Sequence, residues 1–226
     1  MPRRRPGTLS GILSATLLLL ISLIVRPALA QSGDENWSGI FGEPGMGTGG
    51  REGVVVGGEL FVSDATYVGA GLDRAQFAVW NGTGWRTTGD GALPNGEGIN
   101  DMAAVGTDVY IAGNFTSIGG VDASYVARWD GTTWQALGAG VNGSVNALAS
   151  DGQNLYVGGT FTDAGGVAVR NVARWDGAAW SALTNGPASS EGVNGPVSAL
   201  AVGNSRVYVG GGFTEAGQQA ATSVAS

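Results

Sequence analysis

The chain has 226 residues, 42 of them Gly, with 13% charged and 8% aromatic residues, no Cys and no His, and all 11 of its cationic residues are Arg. The absence of His and Cys excludes a Ser-His-Asp triad, a cysteine nucleophile, His- or Cys-ligated zinc, haem attachment and a disulfide framework. An apolar content of 43% suffices for a packed core, so the glycine excess does not signal disorder, and without a period of three it does not signal collagen. A turn-rich all-β chain is expected.

Residues 1–30 read as a secretory signal helix. Arg3, Arg4 and Arg5 precede an apolar stretch from Gly11 to Val25, then Pro27 and the small-x-small end Ala28-Leu29-Ala30. That stretch is shorter than the ~20 residues of a spanning helix, so cleavage after Ala30 is favoured over an uncleaved anchor. Residues 31–226 then carry 7 Arg against 18 acidic residues, a net charge of −11. This argues against nucleic acid and anionic membranes as partners and fits solubility outside the cell. An exported, disulfide-free chain without Lys suggests a bacterial origin.

Residues 31–47 hold Trp37-Ser38-Gly39-Ile40-Phe41-Gly42 and a Gly-rich linker. Trp37 resembles the Trp that opens the last strand of the units described next, so a lone fourth strand is expected here. Gly45, Gly47 and Gly50 match the dinucleotide-binding spacing, but they follow no parallel strand and open no helix, and they read as a flexible connection.

Beyond the linker the chain repeats, with units at 48–98 (degenerate), 99–143, 144–195 and 196–226 (partial). Leu148 leads to Tyr156-Val157-Gly158-Gly159-Thr160-Phe161-Thr162, and the same pattern runs from Met102 to Phe115 and from Leu200 to Phe213. Val126-Ala127-Arg128-Trp129 recurs as Val172-Ala173-Arg174-Trp175, with Phe77-Ala78-Val79-Trp80 as a diverged copy. Trp80, Trp129 and Trp175 are each followed five residues later by Trp85, Trp134 and Trp180. Each unit divides into four strand-like runs; in the third these are Val145 to Ser150, Asn154 to Phe161, Asn171 to Trp175 and Trp180 to Leu183. Asn81-Gly82, Asp130-Gly131 and Asp176-Gly177 supply the tight hairpin turns. A four-stranded sheet cannot bury both faces alone, so neighbouring sheets must stack. Burying an indole is worth about 4–6 kcal/mol gross, so Trp80, Trp85, Phe115, Trp129, Trp134, Phe161, Trp175, Trp180 and Phe213 are expected in the repeat core. A sugar-stacking platform of paired Trp is the minority reading.

Gly158-Gly159 at the end of an apolar strand, followed by the Trp175 and Trp180 hairpin, resembles the kelch-type repeat of galactose-oxidase-like β-propellers. It is most similar to the Val-Ala-Arg-Trp-Asp-Gly-x-x-Trp repeats of secreted bacterial proteins. The resemblance covers roughly residues 37 to 226 and departs from kelch in a shorter hairpin and in Trp where the first aromatic is usually Tyr. It implies an all-β propeller of four-stranded antiparallel blades. The Trp-Asp pairs also bring WD repeats to mind, whose Gly-His element a His-free chain lacks. Copper-oxidase chemistry known in some kelch-like propellers is excluded, because its ligands include His and a Cys is crosslinked to Tyr. Phe115 to Trp129 and Phe161 to Trp175 are each 14 residues; by that spacing Phe213 expects a Trp just past Ser226, so the ring is expected to be incomplete and the pattern to continue.

Connection lengths point to one side of the units. The spacings that span strands one to two and three to four are constant, whereas the fourth-to-first spacing varies: Trp85 to Met102 is 17, Trp134 to Leu148 is 14 and Trp180 to Leu200 is 20. The second-to-third connection lengthens in the first unit. Both variable connections should lie on the same side, as for a recognition surface, although neutral drift of loops accounts for the lengths about as well. Carboxylates expected there are Asp73, Asp90, Glu97, Asp122, Asp163 and Glu191; a pair of them would serve a glycosidase or bind Ca²⁺, but solvated loop acids are favoured. Sequons at Asn36, Asn81, Asn114 and Asn142 read more simply as turn formers. The expected function is non-catalytic binding of a protein or glycan outside the cell, with no cofactor. The alternatives are part of a carbohydrate-active hydrolase or lyase, or a structural surface repeat without a ligand.

Overall fold

The computed structural model describes residues 52–65, 75–87, 93, 98–183, 192–217, 219–221 and 224–225. The expected signal helix, the Trp37 strand and the 31–47 linker lie outside the described residues. Among the described residues every regular element is a strand. The first unit comprises β1 (Gly53–Val56), β2 (Glu59–Ala65), β3 (Ala75–Trp80) and β4 (Trp85–Thr87), hydrogen-bonded in chain order. The second comprises β5 (Ile99–Val105) and β6 (Asp108–Gly113), a small hairpin of β7 (Ser117–Ile118) and β8 (Val121–Asp122), then β9 (Val126–Trp129) and β10 (Trp134–Ala136). The third repeats this with β11 (Val145–Ser150), β12 (Leu155–Gly159), the hairpin β13 (Asp163–Ala164) and β14 (Val167–Ala168), β15 (Val172–Trp175) and β16 (Trp180–Ala182). The fourth has β17 (Val197–Gly203), β18 (Arg206–Gly211), the hairpin β19 (Glu215–Ala216) and β20 (Gln219–Ala220), and β21 (Val224–Ala225).

The main sheets are antiparallel meanders, β5-β6-β9-β10 and β11-β12-β15-β16 in the second and third units and β17-β18-β21 in the fourth. Register repeats with the sequence. Trp129 pairs with Trp134 and Trp175 with Trp180 across their hairpins, as Trp80 does with Trp85. The second strand of the third unit ends at Gly159, two residues before the expected Phe161. The Asn171 carbonyl accepts from Gly159 N–H, and the Asn171 side-chain Oδ1 accepts from Phe161 N–H, which turns the chain out into β13.

Alternation along each strand sends side chains to two opposite faces. The face of the second sheet carrying Trp129, Trp134, Val109 and Ile111 packs against Phe61, Phe77 and Val79 of the first. The corresponding face of the third sheet, with Trp175, Trp180, Leu155 and Val157, packs against Tyr110, Ala112 and Val126 of the second. These four tryptophans are 5–8% exposed, and each pair sits with ring centroids 5.2 Å apart. Phe77 adds an edge contact to Trp134 at 4.9 Å. Phe115, Phe161 and Phe213 are buried as expected.

The first strands of the second, third and fourth units share a β-bulge at one position, after Ile99, Val145 and Val197. A bulge re-aims the residue it inserts, here Asn100, Asn146 and Ser198. Asn100 Nδ2 donates to the Val145 carbonyl and Asn146 Nδ2 to the Val197 carbonyl, both at 2.8 Å. The second unit is thereby tied to the third, and the third to the fourth, through their first strands.

Candidate functional site

The variable side is built from the fourth-to-first connections and the second-to-third hairpins, and the structure brings them together. Val141 bridges to Ala164 of β13, and Val193 to Ala216 of β19. Asn142 Oδ1 accepts from the Thr162 and Asp163 amides, and its Nδ2 donates to Thr162 Oγ1. Asn194 makes the same three bonds to Thr214 and Glu215 one unit later. The Asn142 sequon is therefore a structural clamp across some 20 residues rather than a local turn former. The second-to-third connection, read from sequence as a loop, is a hairpin because Ile118-Gly119-Gly120-Val121 and Ala164-Gly165-Gly166-Val167 are apolar-Gly-Gly-apolar turn signals.

Of the six carboxylates expected on this side, Asp73, Asp90, Glu97 and Glu191 lie outside the described residues. Asp122 is exposed at the end of β8, paired with Ser117. Asp163 is half-buried; its Oδ1 accepts the Gly166 amide and so closes its own hairpin. Asp122 ends the outgoing arm of one hairpin and Asp163 begins the incoming arm of the next unit's hairpin. Among the described residues there is no group of three His, Cys, Asp or Glu side chains that could hold a metal ion.

A further carboxylate, Asp101, sits between units. Asp101 stands where the later units carry Ala147 and Ala199. Its Oδ2 accepts from Leu148 N–H in the third unit at 2.6 Å and its Oδ1 from Met102 N–H at 2.7 Å. Burial pushes the Asp101 carboxyl above the usual range, against the pull of those two amides. Glu52, just before β1, is raised by its own desolvation and by the charge of Asp101. With both oxygens bonded to backbone amides, Asp101 ties the second sheet to the third. The departure from Ala was the available signal for it.

The opposite side is regular. Asn81, Asp130, Asp151 and Asp176 each cap a tight turn, their Oδ1 accepting two backbone amides at 2.7–3.0 Å. The Thr133 amide, the Thr132 hydroxyl and the Thr132 amide hold the Asp130 carboxyl well below the usual carboxylate range. The Ala179 and Ala178 amides lower Asp176. Partial desolvation opposes the shift at Asp151, yet the Asn154 amide and side chain, the Gln153 amide and the Tyr156 hydroxyl together hold it low as well. An open groove of about 580 Å³ on this side runs between the Asp151 and Asn204 turns, with Gln153, Tyr156 and Arg206 along it.

The tryptophan pairs divide into two kinds. Trp129, Trp134, Trp175 and Trp180 are core, as the burial energy requires. Trp80 and Trp85 depart from that expectation: they are half-buried, with centroids 5.5 Å apart. Their face of the first sheet has no described sheet packed on it, and Val55 on the same face is 66% exposed. Compared with protein-family models and with curated proteins, the chain matches none. Function is therefore argued from the geometry alone.

Proposed function

We propose that the chain is a secreted β-propeller module of the kelch-like type, which binds a protein or glycan partner without catalysis through the side carrying the second-to-third hairpins. Sheet-on-sheet burial of indoles and repeated first-strand contacts support the propeller reading. The observation that carries the binding reading is the Asn clamp. Asn142 and Asn194 fix the hairpins of the third and fourth units to the connections that precede them, so one side presents rigid, exposed tips next to connections whose lengths differ. Binding residues commonly sit on such loops held by a rigid scaffold. The two placed loop carboxylates are used within or beside hairpins, which favours binding over hydrolysis.

The test uses residues 31–226 on immobilised extracellular glycans and surface proteins. A partner found this way should be lost when the Trp180–Leu200 connection is trimmed to the length of the Trp134–Leu148 connection, or when Asp122 and the other exposed tip residues are charge-reversed. Binding unchanged by both alterations contradicts the reading.

A further inference from the structure

Asn-Gly pairs stand in the sequence at Asn81, Asn95, Asn142, Asn185 and Asn194; Asn95 and Asn185 lie outside the described residues. An Asn followed by Gly is open to attack on itself, because glycine has no side chain to keep its backbone nitrogen away from the preceding side-chain carbonyl carbon. The three described pairs sit in different settings. Asn142 and Asn194 are held across the fold: each Nδ2 donates to a Thr hydroxyl 20 residues on, and each Oδ1 accepts two amides of the same hairpin. The glycines that follow them are wedged as well. A Cβ at Gly143 would overlap the Thr160 carbonyl, and one at Gly195 the Gly212 carbonyl, so neither backbone has room to swing its nitrogen onto the neighbouring amide.

Asn81 is the opposite case. Its side-chain bonds fall within its own turn: Oδ1 accepts the Thr83 amide at 3.0 Å, the Thr83 hydroxyl at 2.9 Å and the Gly84 amide at 2.9 Å. Asn81, Gly82 and Thr83 are exposed, and a Cβ at Gly82 would meet open space. The Gly82 amide donates to none of the described residues. Three donors thus converge on the oxygen that gains negative charge when Cγ is attacked, an arrangement that stabilises a tetrahedral intermediate. The turn also accepts the product. The second and third units carry Asp130 and Asp176 at this place, with the same two backbone amides on Oδ1 and, at Asp130, the same Thr hydroxyl.

We propose that Asn81 is a self-modification site of the folded chain, converted through a succinimide to an acidic residue, while the clamps keep Asn142 and Asn194 as amides. The Gly82 nitrogen gives up its proton and bonds to Asn81 Cγ. The Cγ–Nδ2 bond breaks, and Nδ2 leaves as ammonia, the proton from Gly82 making up the balance. Water then opens the ring. Cleaving the new bond between the Gly82 nitrogen and Cγ gives aspartate, and cleaving the original peptide bond gives isoaspartate. Aspartate keeps the turn as Asp130 does, whereas isoaspartate inserts a backbone methylene between Trp80 and Trp85 and loosens their pairing. The proposal does not depend on the partner of the hairpin side.

The test ages residues 31–226 in mildly alkaline buffer, folded and in urea. Digestion under acidic conditions and mass spectrometry with electron-transfer fragmentation then read each site and separate aspartate from isoaspartate. In urea the three pairs should convert at similar rates. In the folded chain Asn81 should convert at least about 10-fold faster than Asn142 or Asn194. Thr83→Val removes one of the three donors with little change of shape and should slow Asn81 about 3-fold in the folded chain, since water replaces part of the lost bond at an exposed site, and leave its rate in urea unchanged. A circular dichroism spectrum matching the unsubstituted chain checks folding, and Thr83→Ala replaces Thr83→Val if that variant fails it. Four results overturn the proposal: Asn81 still an amide in the folded chain when urea has converted it, Asn142 or Asn194 keeping pace with it there, an equal preference for Asn81 in urea, or a folded-chain rate that the Thr83 variant leaves unchanged.

Discussion

Gly165 turns the small hairpin of the third unit in a left-handed conformation, φ 59°, with its Cα directly against the Trp180 indole. A Cβ there would overlap the indole and be strained as well. Gly165→Ala is accordingly expected to destabilise by about 2–4 kcal/mol. Gly166→Ala meets open space and should cost only about 1–2 kcal/mol of backbone strain; urea titration followed by tryptophan fluorescence separates the two. The indoles differ at the same scale. Trp180 Nε1 donates to the Leu137 carbonyl at 2.7 Å, while Trp134 Nε1 is buried with no partner among the described residues. Trp180→Phe should therefore cost about 1 kcal/mol more than Trp134→Phe, read by the same titration. Ser205 holds φ 58° in the fourth unit's first turn, and Ser205→Gly is expected to stabilise by about 1 kcal/mol.

Hairpin turns carry the pH response of the elements. Asp130, Asp151 and Asp176 have lowered folded pKa values. Their contribution to stability is thus present above the unfolded carboxylate value, about pH 4, and is lost as pH falls toward the lowered folded values. Urea midpoints should drop between pH 5 and pH 2. Asn81 caps its turn with a neutral amide oxygen, so Asp130→Asn should keep its hairpin at pH 7 and flatten part of the acid loss; a variant with the unsubstituted pH profile contradicts this. The main strands and these turns were legible in the sequence because alternation and Asp-Gly or Asn-Gly pairs are local signals. The small hairpins are equally local, turning at Gly119-Gly120 and Gly165-Gly166. The clamp was not legible, since Asn142 reaches Thr162 and Asp163 some 20 residues away.

Across the whole molecule, what holds units together is what a single repeat cannot show. Asp101 stands in an Ala position of the repeat, and its partner, the Leu148 amide, lies 47 residues on, beyond the reach of any local pattern. Asp101→Ala leaves that amide and the Met102 amide without their acceptor and should cost about 1–2 kcal/mol. The raised folded pKa means that the wild-type chain carries its desolvation penalty only once the carboxyl ionises. The loss measured in urea should therefore be larger near pH 4 than at pH 7. Trp80 and Trp85 repeat the sequence of the buried pairs but not their burial, because burial depends on a neighbouring sheet and not on the hairpin that carries them. Of the loop carboxylates, Asp122 and Asp163 lie in the small hairpins, and spacing could not show that Asp163 closes its own turn.

The central claim is that the paired tryptophans of the second and third units are wedged between successive sheets while the first pair is only half-buried. Exchange of the indole N–H protons, followed by NMR, tests it most directly. Trp129, Trp134, Trp175 and Trp180 should exchange slowly, and Trp80 and Trp85 rapidly. Rapid exchange at the four buried positions, or equal protection of all six, would contradict it.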